Sequence, residues 1–338
     1  MRKLVVLTAF LAVVACKKET QETSIASGPE KSALFTKATG LFKSVSSLEY
    51  GDIPENKIEL GKKLYFDTRL SKDGNISCNS CHNLETFGVD NLPLSPGDTK
   101  ELGGRNSPTV FYSSLHHMQF WDGRAKDVEE QAGGPILNPV EHNIPSEGYL
   151  EEKLRGIADY QKIFKAVYPA QDNPITFANI TDAIGAFERM LNPPSRFDNY
   201  LDGDEDALTV QEKQGLEAFI DNGCITCHMG VALGGQMLQK FGLYDDYWVH
   251  TKSQNVDHGL YDLTKNEADK FMFKVPSLRN IEKTAPYFHD GSVASLTEAV
   301  SIMGKLQTNK DFTDKELTDI VVFLKALTSD IDDKYKRP

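Results

Sequence analysis

Apolar residues recur at helical spacing in several stretches of this chain. The two most regular stripes consist of Phe177, Ile180, Ile184, Phe187 and Leu191, and of Leu317, Ile320, Phe323, Leu324 and Leu327. A period of three to four residues predicts amphipathic helices that bury one face. Strand signals are sparse, and loops rich in Gly and Pro (91–108 and 132–147) separate the predicted helices. The pattern therefore predicts a mainly α fold with long loops.

Three predicted helices begin with a hydroxyl residue placed three positions before a glutamate. These pairs are Thr209 and Glu212, Ser295 and Glu298, and Thr313 and Glu316. In a capping box, the hydroxyl and the carboxylate each accept a hydrogen bond from a backbone N–H of the first turn. We therefore place helix starts next to residues 209, 295 and 313.

A distant internal repeat divides the chain into two halves. The stretches "ELGKKLYFD" (59–67) and "KQGLEAFID" (213–221) each contain a Gly, four further residues, an apolar residue and Asp. Each stretch precedes a Cys-x-x-Cys-His motif. The acidic stretch "DGDED" (202–206) suits a linker between the halves. We therefore predict two mostly helical domains, over residues 49–201 and 207–338.

The N-terminus has the features of an export signal. Arg2 and Lys3 precede an apolar run, Leu4 to Ala15, that is too short to span a bilayer. Small residues end the run directly before Cys16, as in bacterial lipoproteins, where this cysteine is lipidated. The alternative is an ordinary signal peptide whose cleavage removes Cys16. We expect a lipoprotein signal peptide over 1–15, a polar tether over 16–48, and a periplasmic protein held on a bacterial membrane by a lipid anchor.

The composition is that of a globular protein with an acidic balance. Hydrophobic residues make up 40% of the chain, and the formal net charge is −12. A negative surface disfavours nucleic acid as a partner. It favours a small substrate or a basic or neutral protein partner.

Two Cys-x-x-Cys-His motifs are the strongest chemical signal in the chain. The first comprises Cys78, Cys81 and His82, and the second Cys224, Cys227 and His228. Two thiols one helical turn apart can bond the two vinyl groups of a haem, and the adjacent histidine can bind its iron. A four-cysteine zinc site needs no histidine after either pair, and a thioredoxin-like redox pair needs a βαβ context that the pattern lacks. The motifs therefore predict two covalently bound haem c groups in two cytochrome c-like domains.

Each haem iron then needs a sixth ligand or an open face. Met303 comes near the predicted end of the helix that starts at Ser295, in the half that contains the second motif. A thioether ligand raises the potential of a haem. Met272 and Met237 remain alternatives for this role.

Residues 50–330 resemble the bacterial di-haem cytochrome c peroxidases, which are similar in part to MauG-type di-haem enzymes. The matching stretches are "SCNSCHNL", "GGRNSPTVF", "FWDGRAKDVEEQAGGPILNPVE", "GCITCH", "FKVPSLRNI", "TAPYFHDGSV" and "EAVSIMG". They cover both predicted haem domains. The resemblance implies an enzyme that reduces hydrogen peroxide to water, with electrons from a small exported cytochrome c or cupredoxin.

The resemblance also implies a division of roles between the haems. The first haem, with His82 on one side of its iron, would be the peroxidatic one. Met303 in "SIMG" would be the axial ligand of the second, high-potential haem, where MauG-type proteins use a tyrosine. Trp121 in "FWDGR" would lie between the haems and conduct electrons.

Further site residues follow from the same resemblance. Gln131 and Glu141 would line the open face of the first haem. Glu141 would move a proton from the near oxygen of peroxide to the leaving oxygen, helped by hydrogen bonding from Gln131. Asn106, with the main chain near Thr284 and Pro286, would match a calcium site between the domains.

One position departs from the family pattern. Many members have a loop histidine, in a Gly-His step, that binds the first haem of the oxidised enzyme and must leave before peroxide binds. This chain reads "SPGD", so Asp98 stands where the histidine would be. A carboxylate is a poor replacement for imidazole on such an iron. We therefore predict a first haem that is open to peroxide without prior reduction.

Two other functions remain open on the sequence. A non-enzymatic di-haem electron carrier would result if Asp98, His116 or His117 closed the first haem permanently. A MauG-like oxidase of a protein substrate is the second alternative, and Met303 argues against it. The sequence leaves the oligomeric state open, with a homodimer as one option.

Overall fold

The computed structural model describes residues 31–49 and 51–338, and residues 33–338 form one compact unit. The predicted signal peptide (1–15) and Cys16 lie outside the described residues. The described part is mainly helical, as predicted, and contains a single two-stranded antiparallel sheet. None of its helices is long and apolar enough to cross a membrane.

The described residues form thirteen α-helices and two short strands, which are joined by loops that include short 3-10 helices. In the first half the helices are α1 (Ala33–Leu41), α2 (Glu55–Phe66), α3 (Cys78–Cys81), α4 (Val128–Leu137), α5 (Glu147–Arg155), α6 (Ala158–Val167), α7 (Phe177–Glu188) and α8 (Arg196–Leu201). The remaining elements are α9 (Val210–Asp221), β1 (Leu238–Lys240), α10 (Tyr247–Thr251), α11 (Tyr261–Thr264), β2 (Met272–Lys274), α12 (Leu296–Thr308) and α13 (Asp314–Lys325). In the sheet, Leu238 pairs with Lys274 and Lys240 with Met272.

Two pairs of crossing helices correspond to the internal repeat. α2 packs against α7 in the first half, and α9 packs against α13 in the second. A Cβ atom at Gly61 would lie 1.8 Å from the backbone oxygen of Ala183, and one at Gly215 would lie 1.9 Å from that of Asp319. Since no side chain fits at either crossing, the repeated glycine is what lets the two helix backbones meet.

The capping residues start their helices where the sequence predicts. Thr209 and Thr313 form complete capping boxes at α9 and α13. The hydroxyl of Ser295 accepts from the backbone N–H of Glu298 at the start of α12. The prediction of these three helix starts is therefore confirmed.

Met303 lies within α12, so its predicted position at a helix end is wrong. The helix continues past Gly304 to Thr308. The glycine does not terminate the helix. It makes room for the ring of Phe312, because a Cβ atom at Gly304 would lie 2.6 Å from that ring.

Part of the predicted tether is folded. Residues 33–41 form α1, and Ala38 and Phe42 are buried in an apolar cluster with α8, α9 and α13. Lys37 also forms an ion pair with Asp221 of α9 at 2.6 Å. Residues four apart lie on the same face of a helix, which places Ala38 and Phe42 together. The tether therefore cannot extend to residue 48 and can include only residues that precede α1.

Helix α8 packs with the second half of the chain. Its Phe197 and Tyr200 belong to the same apolar cluster as α9 and α13. Asp198 of α8 forms a fully buried ion pair with Arg279 at 2.8 Å. The boundary between helices that pack with the first half and helices that pack with the second half therefore lies before α8. The predicted linker at 202–206 comes later in the chain.

Candidate functional site

The first Cys-x-x-Cys-His motif lies at the short helix α3, which contains Cys78 and Cys81 and is followed directly by His82. The Nδ1 atom of His82 is 2.9 Å from the backbone oxygen of Pro108. Since a carbonyl can only accept, Nδ1 carries the proton. Burial lowers the pKa of His82, so the ring is neutral at physiological pH. Its Nε2 lone pair is then the atom that can bind a metal.

A cavity of about 440 Å³ adjoins this motif. Its walls contain all three motif residues. They also contain Trp121, Gln131 and Glu141, which the family resemblance assigns to the peroxidase chemistry. The structure therefore brings these predicted site residues and the first motif to one cavity.

Glu141 is held by the loop that follows α4. The Nδ2 atom of Asn138 donates a hydrogen bond to Oε1 of Glu141 at 2.8 Å. Burial raises the pKa of Glu141, and this effect exceeds the opposing effects of the Arg124 charge and of the Asn138 hydrogen bond. A carboxyl group with a raised pKa can accept a proton and return it within one reaction.

Trp121 lies between this cavity and a second region of the molecule. Its indole Nε1 donates to the backbone oxygen of Asn106 at 2.8 Å. It also packs against an aromatic cluster that includes Phe273 and Met303. Its ring also meets that of His289 edge-on, with 6.3 Å between the centroids. The indole thus contacts both the first cavity and the cluster that contains the proposed ligand of the second haem.

Asp98 is not among the residues that line the cavity. Its side chain is buried, and both carboxylate oxygens lie 3.3 Å from the backbone N–H of Asp73. The backbone N–H of Asp98 donates to the carbonyl of Glu141 at 2.7 Å. A Cβ atom at Gly97 would lie 1.7 Å from the backbone oxygen of Val140. These contacts tie the loop that carries Asp98 to the segment that carries Glu141.

A buried cation lies at the same cavity. Lys274 and His116 both line it, and Nζ of Lys274 is 2.9 Å from Nδ1 of His116. Burial lowers the pKa of Lys274 to about 8, so the ammonium form, which can only donate, prevails at neutral pH. Nδ1 of His116 therefore accepts and Nε2 carries the proton. Nε2 is buried without a hydrogen-bond partner among the described residues, and such a pair of donors suits an anionic group.

The second motif is built like the first. His228 is buried, and its Nδ1 is 3.0 Å from the backbone oxygen of Leu233. Burial lowers the pKa of His228 to about 4, so this ring is also neutral at physiological pH. Again Nδ1 carries the proton, and Nε2 is left as the metal-binding atom.

Met303 lies on the helix that borders the second motif. Val300, one turn earlier on α12, packs against the same apolar cluster as Cys224. Met303 itself packs in the neighbouring aromatic cluster, where it is partly buried. Met272 belongs to β2 and Met237 precedes β1. Of the three predicted candidates, Met303 is therefore on the helix in contact with the cluster around the second motif.

The chemistry of these residues fits two haem c groups. The four motif cysteines form no disulfide, so their thiols are available for thioether bonds. Each motif histidine has Nδ1 fixed by a carbonyl, which is how proteins orient a metal-binding imidazole. The orphaned Nε2–H of His116 and the ammonium of Lys274 fit the carboxylates that every haem carries. Within the described residues, no group of three or more His, Cys, Asp or Glu side chains is placed to hold a bare metal ion.

The predicted calcium ligands lie on neighbouring loops. Asn91 donates to backbone oxygens of residues 283 and 285, which joins its loop to the segment that contains Thr284 and Pro286. The backbone N–H of Asn106 donates to the carbonyl of His289 at 2.7 Å. Calcium binding at these loops stays a prediction.

Three residues at the cavity were missed by sequence reasoning. Asn138 holds Glu141, Lys274 contacts His116, and Glu188 lines the cavity while only 5% exposed. The burial of Glu188 could have been predicted from the sequence, because Glu188 comes four positions after Ile184 and therefore lies on the apolar stripe of α7. A carboxyl group on a buried helix face needs either a partner or a raised pKa.

The fold and the site define a helical protein with two haem-attachment motifs, one of which opens on a cavity lined by Gln131 and by Glu141, a carboxyl group with a raised pKa. Residues 55–206 match the family described as di-haem cytochrome c peroxidase. The chain is 48% identical over 288 residues to the cytochrome c551 peroxidase of Nitrosomonas europaea, with 84% of each chain covered. It is 45% identical over 302 residues to the cytochrome c551 peroxidase of Pseudomonas aeruginosa, which covers 88% of this chain and 86% of that one. The chain belongs to the di-haem cytochrome c peroxidase family.

A solved structure supports the same fold. The crystal structure of a MauG-like protein associated with microbial copper homeostasis is 32% identical and superposes with a TM-score of 0.74. The match covers 84% of this chain and 92% of that one. The architecture is thus shared by peroxidases and MauG-like proteins, as the sequence resemblance implied.

Proposed function

We infer that this chain is a di-haem peroxidase that reduces hydrogen peroxide to water. The observation that carries the inference is the single cavity in which the first haem-attachment motif meets Gln131 and Glu141. The relatives named as cytochrome c551 peroxidases support this reaction. The electrons come from a small exported cytochrome c or cupredoxin.

The residues of the first cavity divide the acid–base work between them. Cys78, Cys81 and His82 would hold a haem, which would supply the redox chemistry of the site. Glu141 accepts the proton of the near oxygen and delivers it to the leaving oxygen, for which its raised pKa is suited. Gln131 offers its amide N–H groups to the same space.

The second motif would hold the haem that provides electrons for the reaction at the first cavity. His228 and Met303 are the proposed ligands of the second haem, and the thioether sets a high potential. Trp121 is the proposed electron path between the two sites. Its packing against both the first cavity and the cluster of Met303 supports this role.

We also propose that the first haem is open to peroxide without prior reduction. The carboxylate of Asp98 is engaged by the backbone N–H of Asp73. Nε2 of His116 carries a proton, so it has no lone pair for iron. His117 is exposed. These three residues are the ones that the sequence offered as ligands to close this face.

Three further features belong to the proposal and rest on the sequence or the family. The protein is periplasmic and held on the membrane by a lipid at Cys16. It contains two haem domains, and a calcium ion bound by Asn106, Thr284 and Pro286 joins their loops. Extraction with detergent and mass spectrometry of the mature N-terminus test the anchor, and metal analysis of the purified protein tests the calcium.

Peroxide turnover by the fully oxidised protein, without pre-reduction, is the test of the proposed function. We expect steady turnover with a cytochrome c donor, together with a high-spin signal from the first haem. Turnover that appears only after partial reduction would refute the open first haem but not the peroxidase. A fully low-spin protein that ignores peroxide, both oxidised and half-reduced, would instead identify a non-enzymatic electron carrier.

A further inference from the structure

Glu188 is a carboxyl group to which the mechanism above gives no role. It is the last residue of α7 and lines the same cavity as Gln131 and Glu141. α7 packs against α4, the helix that carries Gln131. Glu188 is therefore a second carboxyl group at the reaction cavity, presented by a rigid helix.

The carboxylate of Glu129 links this region to the surface. A Cβ atom at Gly185 would lie 2.6 Å from Oε1 of Glu129, so the carboxylate rests on α7 one turn before Glu188. Arg189, the residue after Glu188, binds the same carboxylate with both terminal guanidinium nitrogens. Glu129 also lines an open groove of about 500 Å³ whose walls come from α4 and from the first turns of α7. One carboxylate therefore touches solvent in the groove and the helix turn that carries Glu188.

We propose that Glu188 is a proton donor of the peroxidase reaction, which takes protons from water in this groove and releases them into the cavity. The inference rests on the proposed function and deepens it. Reduction of one hydrogen peroxide to two waters takes up two electrons and two protons. Glu141 only moves a proton that peroxide already carries, so the protons that are consumed must enter from outside. Glu188 gives its carboxyl proton to the peroxide oxygen that Glu141 does not protonate, is left as a carboxylate, and regains a proton from the groove. A second round of the same transfer supplies the second proton, so that one peroxide, two electrons and two protons yield two waters.

The surroundings of Glu188 keep it in the donor form. Burial and the negative charge of Glu129 raise its pKa to about 8, and the positive charge of Arg189 opposes this rise. The other groups close to it are Tyr65 of α2, whose pKa is raised, and Cys78 of α3, which cannot ionise once it forms a thioether with haem. Neither of these carries a charge at neutral pH. Glu188 is therefore mostly protonated at pH 7, and the donor is lost as the pH rises through about 8.

Substitution of Glu188 in the holoenzyme tests the proposal. Glu188→Gln keeps the size of the side chain but cannot release a proton, so we expect kcat for peroxide reduction at neutral pH to fall by about 100-fold. The decline of kcat above pH 8 that we expect for the wild type should be absent in this variant. Glu188→Asp should recover part of the rate and keep the decline. Glu152→Gln, at an exposed glutamate of α5, is the control and should match the wild type.

Infrared difference spectra give a second readout that does not depend on turnover. The oxidised wild type should show the carbonyl absorption of a buried carboxylic acid, which is lost as the pH rises through about 8. This absorption should be missing in Glu188→Gln and present in Glu152→Gln. A spectrum in which Glu188→Gln retains it would assign the acid to another residue and overturn the proposal.

The kinetic outcomes separate this proposal from the proposed function. A Glu188→Gln enzyme with the wild-type kcat and the same decline above pH 8 would overturn the role of Glu188 alone. A wild-type holoenzyme without peroxide turnover would overturn the peroxidase itself. If Glu188→Gln does not assemble with both haems, the pH dependence of kcat in Glu129→Gln tests the proposal instead. Removal of the Glu129 charge should lower the pKa of Glu188 and move the decline to lower pH, and a decline that stays in place would contradict the proposal.

Discussion

Glu141 combines a fixed position with a shifted pKa. Asn138 holds its Oε1, and burial raises its pKa above the usual value of 4.5. The carboxyl group must be ionised to accept the peroxide proton, so we expect kcat/KM for peroxide to fall as the pH drops through this raised value. Glu141→Gln should lower kcat/KM by roughly 10²–10⁴-fold and remove this acid limb. Stopped-flow mixing with peroxide across the acid range measures both effects, and an acid limb that persists in the variant would belong to another group.

The assignment of Met303 as a ligand predicts how its substitution changes the reduction potential of the second haem. A thioether favours the reduced iron, whereas a second imidazole keeps the potential low. Met303→His should therefore lower the potential of the second haem by something on the order of 100 mV or more, within the range that axial ligands span. Redox titration followed by absorbance measures the shift. Met272→Leu and Met237→Leu are the matched controls, and a drop in either of these variants, with Met303→His unchanged, would contradict the assignment.

Single residues show where sequence reasoning reaches its limit. The cysteines and histidines of both motifs could be identified because their spacing carries the chemistry. Glu141 and Gln131 were found only through the family resemblance, since a loop carboxylate has no distinctive pattern. Lys274 and His116 could not be paired from the sequence, because the contact joins residues 158 positions apart.

At the scale of elements, the two helix crossings depend on their glycines. A methyl group at Gly61 or Gly215 would overlap the backbone of the partner helix, so the helices must move apart. We expect Gly61→Ala and Gly215→Ala each to destabilise the holoprotein by about 3 kcal/mol, near the upper end of overpacking effects. Urea unfolding followed by circular dichroism measures this change. Gly40→Ala is the control, because nothing lies within 4 Å of a Cβ atom there. Because alanine is the better helix former, we expect Gly40→Ala to raise the free energy of unfolding by up to about 1 kcal/mol. Equal changes in this free energy at all three sites would contradict the proposed role of Gly61 and Gly215 at the helix crossings.

The elements also show what a pattern can and cannot specify. The capped starts of α9, α12 and α13 could be predicted because capping uses side chains three residues apart. The end of α12 could not be predicted, because a glycine near the end of a helical pattern suggests a helix terminus. The structure shows instead that Gly304 makes room for the ring of Phe312. The helix α1 was missed because the longer polar stretch around it was interpreted as a tether, although α1 itself contains Leu34, Phe35 and Leu41. Helix starts could thus be predicted from residues close together in the sequence. The role of Gly304 and the packing of α1 depend on contacts with residues far away in the sequence, so they could not be predicted.

At the scale of the whole molecule, the charge bears on how the electron donor binds. The chain has 49 acidic and 37 basic residues, which gives the formal net charge of −12. Such a surface attracts a donor with a basic face and speeds their encounter. At physiological ionic strength this attraction is already screened beyond about 8 Å. The rate of reduction by a basic donor should therefore depend strongly on salt.

Steady-state kinetics at increasing salt tests this expectation. We expect kcat/KM for a basic cytochrome c to fall by roughly tenfold or more between low salt and a few tenths molar, because steered association is lost. The value of kcat/KM for hydrogen peroxide should change little over the same range, since peroxide is uncharged and no long-range attraction guides it. An acidic cytochrome c serves as the matched donor, and its kcat/KM should rise with salt as repulsion is screened. If both donors lost activity in parallel, salt would be acting on the enzyme itself, and the acidic surface would have no part in selecting the donor.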